Sequence, residues 1–170
     1  MKLTGLVVAV LCVFALLIAT PRAVTQSPVQ MQASLDVMKT NVAQIPASAE
    51  KDRWQANEEM WQIVIGHTQS VPIVHLGLLK SRFQEMQENV AEITEPKERE
   101  RWQANVFMWQ EIINHMEGGT HPLMLVEMKD PFGRMQANVA RIDESPEKER
   151  WQANVDVWKI MIMRLESSTQ

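Results

Sequence analysis

Apolar residues recur at steps of three and four along two long stretches of the chain. Leu76, Leu79, Phe83, Met86, Val90 and Ile93 form one ladder, and Leu125, Met128, Phe132, Met135, Val139 and Ile142 form a second. Steps of three and four keep side chains on one face of an α-helix, so each ladder predicts a helix with a single buried stripe. Met31, Leu35, Met38, Val42 and Ile45 carry the tail of the same ladder nearer the N-terminus. These are the A helices.

A second stripe follows each ladder. It runs Trp102, Asn105, Trp109, Ile112 and Met116 in the middle of the chain, and Trp151, Asn154, Trp158, Met161 and Leu165 near its end. Trp54, Asn57 and Trp61 open the corresponding stripe of the first copy. These B helices follow short acidic connections, ASAEKD, EPKERE and ESPEKE, in the last of which Ser145 and Pro146 read as N-cap and first helical residue. Glu50, Glu98 and Glu147 put a negative charge at each B-helix N-terminus. Each also stands three residues before Arg53, Arg101 or Arg150, the spacing of a surface ion pair. Gly118-Gly119 should stop the second B helix. Pro131 should kink or restart the third A helix, with Asp130 as the new cap.

The two stripes belong to one repeat. RWQANEEMWQ (53–62), RWQANVFMWQ (101–110) and RWQANVDVWK (150–159) are near-copies at offsets of 48 and 49 residues, and the A ladders keep the same register. The expected fold is all-α: three tandem antiparallel helical hairpins, six helices, arranged as a short α-solenoid or a closed helical bundle. The units span about 28–68, 72–117 and 121–167 of a single repeat domain covering 24–170. The framework residues of the tetratricopeptide repeat are missing.

All six Trp of the chain, Trp54, Trp61, Trp102, Trp109, Trp151 and Trp158, lie in this motif, with Asn57, Asn105 and Asn154 between the members of each pair. Their helical spacing makes them structural core rather than three copies of a binding site. Asn41, Asn89 and Asn138 border the facing A stripe. The expectation is that Asn and Trp N–H groups hydrogen-bond across each hairpin and fix its register.

Composition changes the picture at the N-terminus. MKLTGLVVAVLCVFALLIATPRA has Lys2, an unbroken apolar run from Leu6 to Ala19, then Pro21 and Arg22. Residues 1–23 read as a signal peptide, the run being short for a membrane span, although neither Ala19 nor Ala23 makes a clean cleavage site. The protein is therefore expected to be exported, periplasmic or extracellular, with an uncleaved membrane anchor as the alternative. Cys12, the one cysteine, would leave with the leader, so the mature chain would have no disulfide, thiol nucleophile or thiolate ligand. Loss of Lys2 and Arg22 leaves 15 bases against 21 acids, moving the formal charge from −4 to −6. That balance argues against nucleic acid and anionic membrane surfaces as partners.

Candidate chemistry is sparse. His115, Met116, His121, Met124 and Met128 gather around the Gly118-Gly119 turn, while His67 holds the place in unit one that His115 holds in unit two, with His75 following. Imidazole and thioether donors suit copper, making a copper-handling protein the alternative functional reading. Against it, Arg164 replaces the histidine in unit three, as a helix C-terminus favours, and most Met occupy repeat core positions. A carboxylate di-metal bundle would need Glu-x-x-His, which does not occur. No G-x-S-x-G, H-E-x-x-H, phosphate-cradling glycine loop or haem-attachment motif is present, so no enzyme and no cofactor is expected.

What remains is recognition of a protein or an apolar ligand by the outer faces of the array. The residues to watch are those that break the repeat: Glu58, Phe107 and Asp156, and the two joints between units.

Overall fold

A computed structural model describes residues 20–69, 76–118 and 124–168. Six helices carry these residues: α1 Thr20–Val42, α2 Ala49–Gln69, α3 Leu76–Ala91, α4 Pro96–Met116, α5 Met124–Val139 and α6 Pro146–Ser168. The described residues contain no strand, and the fold is all-α. α1, α3 and α5 are the A helices; α2, α4 and α6 are the B helices. Most of the leader lies outside the described residues, although the backbone of α1 crosses the boundary expected at Ala23.

Helix starts follow from the acidic connections. Ser48 Oγ accepts from Lys51 N at 3.3 Å, and Ser145 Oγ from Lys148 N at 3.2 Å with Pro146 as the first helical residue. At α4 the cap is Glu95, whose carboxylate accepts from Lys97 N at 3.1 Å and from Glu98 N, ahead of Pro96. Each cap satisfies N–H groups that a helix start leaves without a partner. Gly118 ends α4 as expected, with a left-handed φ of 85° that an L side chain rarely adopts.

Pro131 behaves differently from the expectation. α5 is one helix from Met124 to Val139 with Pro131 inside it, and Asp130 does not act as a cap but pairs with Arg134 at 2.5 Å. The proline ring is buried, so packing offsets the backbone hydrogen bond it cannot donate.

The helices close into a ring. Each A helix packs against the B helix on either side of it in the chain, and α1 packs against α6. That last contact makes the array a closed bundle rather than an open solenoid. The more extensive contact of each A helix is with a B helix of a neighbouring unit (α2 with α3, α4 with α5, α6 with α1), and the contact within a unit is the smaller one. The three B helices stand apart from one another in backbone terms but meet through their side chains. They run parallel, because matching residues of the three lie in the same layer.

The core follows the two stripes. Met31, Leu35, Met38, Leu79, Met86, Met128 and Met135 are buried from the A side, and all six indoles are buried from the B side. Each indole removes about 150–250 Å² from water, worth on the order of 4–6 kcal/mol as an upper figure. No described helix is long and apolar enough to cross a membrane.

Candidate functional site

On the axis of the ring the repeated decamer builds three layers. Trp54, Trp102 and Trp151 pack edge to face, with ring centroids 4.8, 4.8 and 4.9 Å apart. One turn on lie Asn57, Asn105 and Asn154, and beyond them Trp61, Trp109 and Trp158 with centroids 4.4, 4.5 and 5.1 Å apart. Spacings of three and four residues put all three layers on the inward seam of each B helix.

The Asn layer is a directed cycle. Asn57 Nδ2 donates to Asn154 Oδ1, Asn154 Nδ2 to Asn105 Oδ1, and Asn105 Nδ2 to Asn57 Oδ1, each at 3.0 Å. Every Oδ1 also accepts an indole N–H from the layer above: Trp61 onto Asn154 at 3.0 Å, Trp109 onto Asn57 at 2.8 Å, Trp158 onto Asn105 at 2.7 Å. The second N–H of each amide points at a methionine sulfur, Met38, Met86 or Met135, at 3.5 to 3.9 Å. A carboxamide has two donors and two acceptor sites, and here all four are used.

This corrects the expected bonding. The Asn and Trp bonds run from one B helix to the next around the axis, not from B to A across a hairpin. Asn41, Asn89 and Asn138 instead serve the outside of the ring. Asn41 donates to Val37 O and Glu149, Asn89 donates to Glu85 O, and Asn138 donates to Lys97 O and Glu100. In the first Trp layer, Trp102 Nε1 is buried without a hydrogen-bond partner among the described residues.

A belt of arginines surrounds that first layer. Arg53 bonds Glu98 at 2.8 Å, Arg101 bonds Glu147 at 2.8 Å and Arg150 bonds Glu50 at 2.9 Å. The guanidinium of each lies 5.4 to 5.8 Å from the centroid of the next unit's indole, Trp102, Trp151 or Trp54. The acids are the ones singled out in the sequence, but each pair joins neighbouring units rather than one helix. All three arginines are buried while their carboxylate partners are partly exposed, so losing the acid would leave a buried guanidinium without its partner, which is the costly outcome.

The His and Met residues divide. His115 is exposed, Met116 is half-buried, and Met124 and Met128 are buried in the core. His75 and His121 lie outside the described residues, as does the side chain of His67. Among the described residues no three His, Cys, Asp or Glu gather as a metal site.

The residues that break the repeat divide between a buried position and an outer one. Glu58 is 9% exposed, where the other units have Val106 and Val155. Burial pushes its carboxyl up to about 7, against the opposing pull of Lys39. The next position reads Glu59, Phe107 and Asp156; Phe107 lines a groove with Pro131 of the adjoining A helix, and Asp156 lines another with Ser34 and the exposed Val37. Glu59 and Arg82 form an ion pair at 2.5 Å, and Asp156 accepts from Gln152 at 3.0 Å. Phe107 has no polar group to offer and is 40% exposed, between a groove along α3 and a second along α5.

Sequence periodicity marked Phe107 as irregular, but its exposure was not visible without the ring, because the outward face of α4 depends on which helices flank it. No family model, curated protein or solved structure matches this chain.

Proposed function

We propose that the protein is an exported, non-enzymatic interaction module, a rigid three-unit scaffold that presents one distinctive outer face to a protein partner. The observation that carries this reading is the division of labour along the repeat. The Trp, Asn, Arg and Met positions that recur are spent on the axis and its belt, with every amide of the Asn cycle already partnered. Variation includes the buried Glu58, but at the position of Glu59, Phe107 and Asp156 it falls on the outside, where one of three equivalent joints exposes an aromatic ring in place of a charged side chain. Exposed aromatics beside grooves are characteristic binding anchors. The apolar leader supports export.

The reading is tested by placing a photo-crosslinking amino acid at position 107 and, as a control, at position 156, and irradiating an exporting host. A discrete covalent adduct from 107 and none from 156 is the expected result. No adduct from either, or the same adducts from both, would remove the reading.

A further inference from the structure

We infer that α1 is an exchangeable helix, and that two copies of this chain associate by trading it, each α1 seated on the α6 and α2 of the other copy. The partner is a second copy of the same chain, and the resulting pair is closed and two-fold symmetric.

Connectivity sets α1 apart. Each A helix makes its more extensive contact with the B helix of a neighbouring unit. For α3 and α5 that helix is the one directly before it in the chain, α2 or α4. For α1 it is α6, at the far end of the described residues. The α1–α6 pairing is nevertheless the most extensive in the ring. Across it Asn41 Nδ2 donates to Glu149 Oε2 at 3.2 Å, 108 residues away in sequence. No direct link decides which copy's α6 receives α1.

The axis does not depend on α1. The Trp layers, the Asn cycle and the Arg–Glu pairs are built by α2, α4 and α6. To these α1 adds Met38 Sδ, which accepts from Asn57 Nδ2 at 3.5 Å. A chain whose α1 has swung away keeps its centre but exposes the seat of Met31, Leu35, Met38, Val42 and Ile45, all buried in the closed ring. A bare apolar seat of that size is unfavourable in water. The segment that matches it side chain for side chain is α1 of another copy in the same state.

The hinge is 43–48, AQIPAS. Opening it breaks the turn bonds from Gln44 N to Asn41 O at 3.2 Å and from Ile45 N to Val42 O at 3.0 Å. Pro46 biases Ile45 towards extended backbone. Six extended residues span about 20 Å, enough to carry α1 to an adjacent ring. The exchanged pair recovers the helix contacts and alters the hinge alone. Self-closure is therefore favoured until chains approach the effective concentration that a short link supplies, on the order of 1 mM.

The test starts from protein recovered from an exporting host, unfolded in urea and refolded at about 1 mM or at about 10 μM, either side of that threshold. Wild type refolded at the higher concentration should contain a dimer in sedimentation; at the lower it should be monomeric. The dimer should persist for hours after dilution, because separation requires α1 to leave a buried seat. A mixture of Asn41→Cys and Glu149→Cys chains of different mass, both also Cys12→Ser, is then refolded at the higher concentration and oxidised. Disulfides should join unlike chains at least about tenfold more often than like chains, since the two positions face each other across the α1–α6 pairing. A wild type that stays monomeric at the higher concentration overturns the inference. So does a dimer that falls apart at once on dilution, or one in which like chains are joined as often as unlike ones.

Discussion

Asn105 donates its side-chain amide to Asn57, 48 residues earlier in the chain, at 3.0 Å, and the same oxygen of Asn57 accepts the indole N–H of Trp109 at 2.8 Å. One residue thereby ties two units together and seats a third group between them. Replacing Asn105 by Ala strands Trp158 Nε1 and one N–H of Asn154, both buried, and takes a donor from Asn57. The expected cost is about 2–4 kcal/mol in urea unfolding. The triple variant Asn57→Leu, Asn105→Leu, Asn154→Leu removes donors and acceptors together, so it should lose less than the sum of the three single Leu variants. Additive losses would mean that the amides do not act as a cycle.

Trp109→Ala empties a fully buried site touching Trp61 and Trp158. A loss of about 3–5 kcal/mol is expected, with a collapse of the near-ultraviolet dichroism that stacked indoles produce. An unchanged melting curve would contradict the buried placement.

Glu58 gives the pH dependence a sign. Its carboxyl titrates near 7 in the folded protein and near 4.5 when unfolded, so the folded state holds its proton more tightly. No penalty arises below 4.5; the penalty grows as pH rises from 4.5 to about 7 and is complete above that. Its ceiling is about 3 kcal/mol. Glu58→Val, which copies unit three, should raise the melting temperature at pH 8 clearly more than at pH 4. An equal gain at both pH values would show that the carboxyl is not the source.

The histidines can be separated from the fold. His115 is exposed, so His115→Ala should leave stability within about 0.5 kcal/mol of wild type. Native mass spectrometry of the protein recovered from an exporting host is expected to give a chain without copper. Stoichiometric copper that is lost on replacing His115 and His121 by Ala would instead promote the copper-handling alternative.

Much of this architecture is legible in the residues because helical periodicity needs only local information. The ladders from Leu79 to Ile93 and from Met128 to Val139 end up facing the core, and the B stripes supply the indoles. The Ser145-Pro146 start and the Gly118 stop depend on one or two dihedral angles and were legible for the same reason. Partnership was not. The repeat that announces the units also makes them interchangeable: Arg101 could meet Glu98 of its own helix or Glu147 of the next unit, and nothing in the letters distinguishes them. The closed ring decides for Glu147. Likewise Asn57 resembles a hairpin clasp until Asn105 and Asn154 are brought beside it. Pro131 reads as a break because its cost is local, whereas the burial that offsets it comes from neighbouring helices. Phe107 and its groove belong to the same category, being a property of α4 and α5 together.

Where the last unit meets the first, the ring repeats the axial contacts that join units consecutive in the chain. Arg150 finds Glu50 as Arg53 finds Glu98, and Asn57 finds Asn154 as Asn105 finds Asn57. Covalent order is thus incidental to the assembly. A permuted gene, opened between the second and third units, is expected to encode the same axial contacts. Three separate copies of one unit would be related by the same three-fold arrangement, with tethering in place of encounter in solution as the only difference. The divergence of Glu59, Phe107 and Asp156 is what fusion makes possible, since a true trimer must carry the same residue three times.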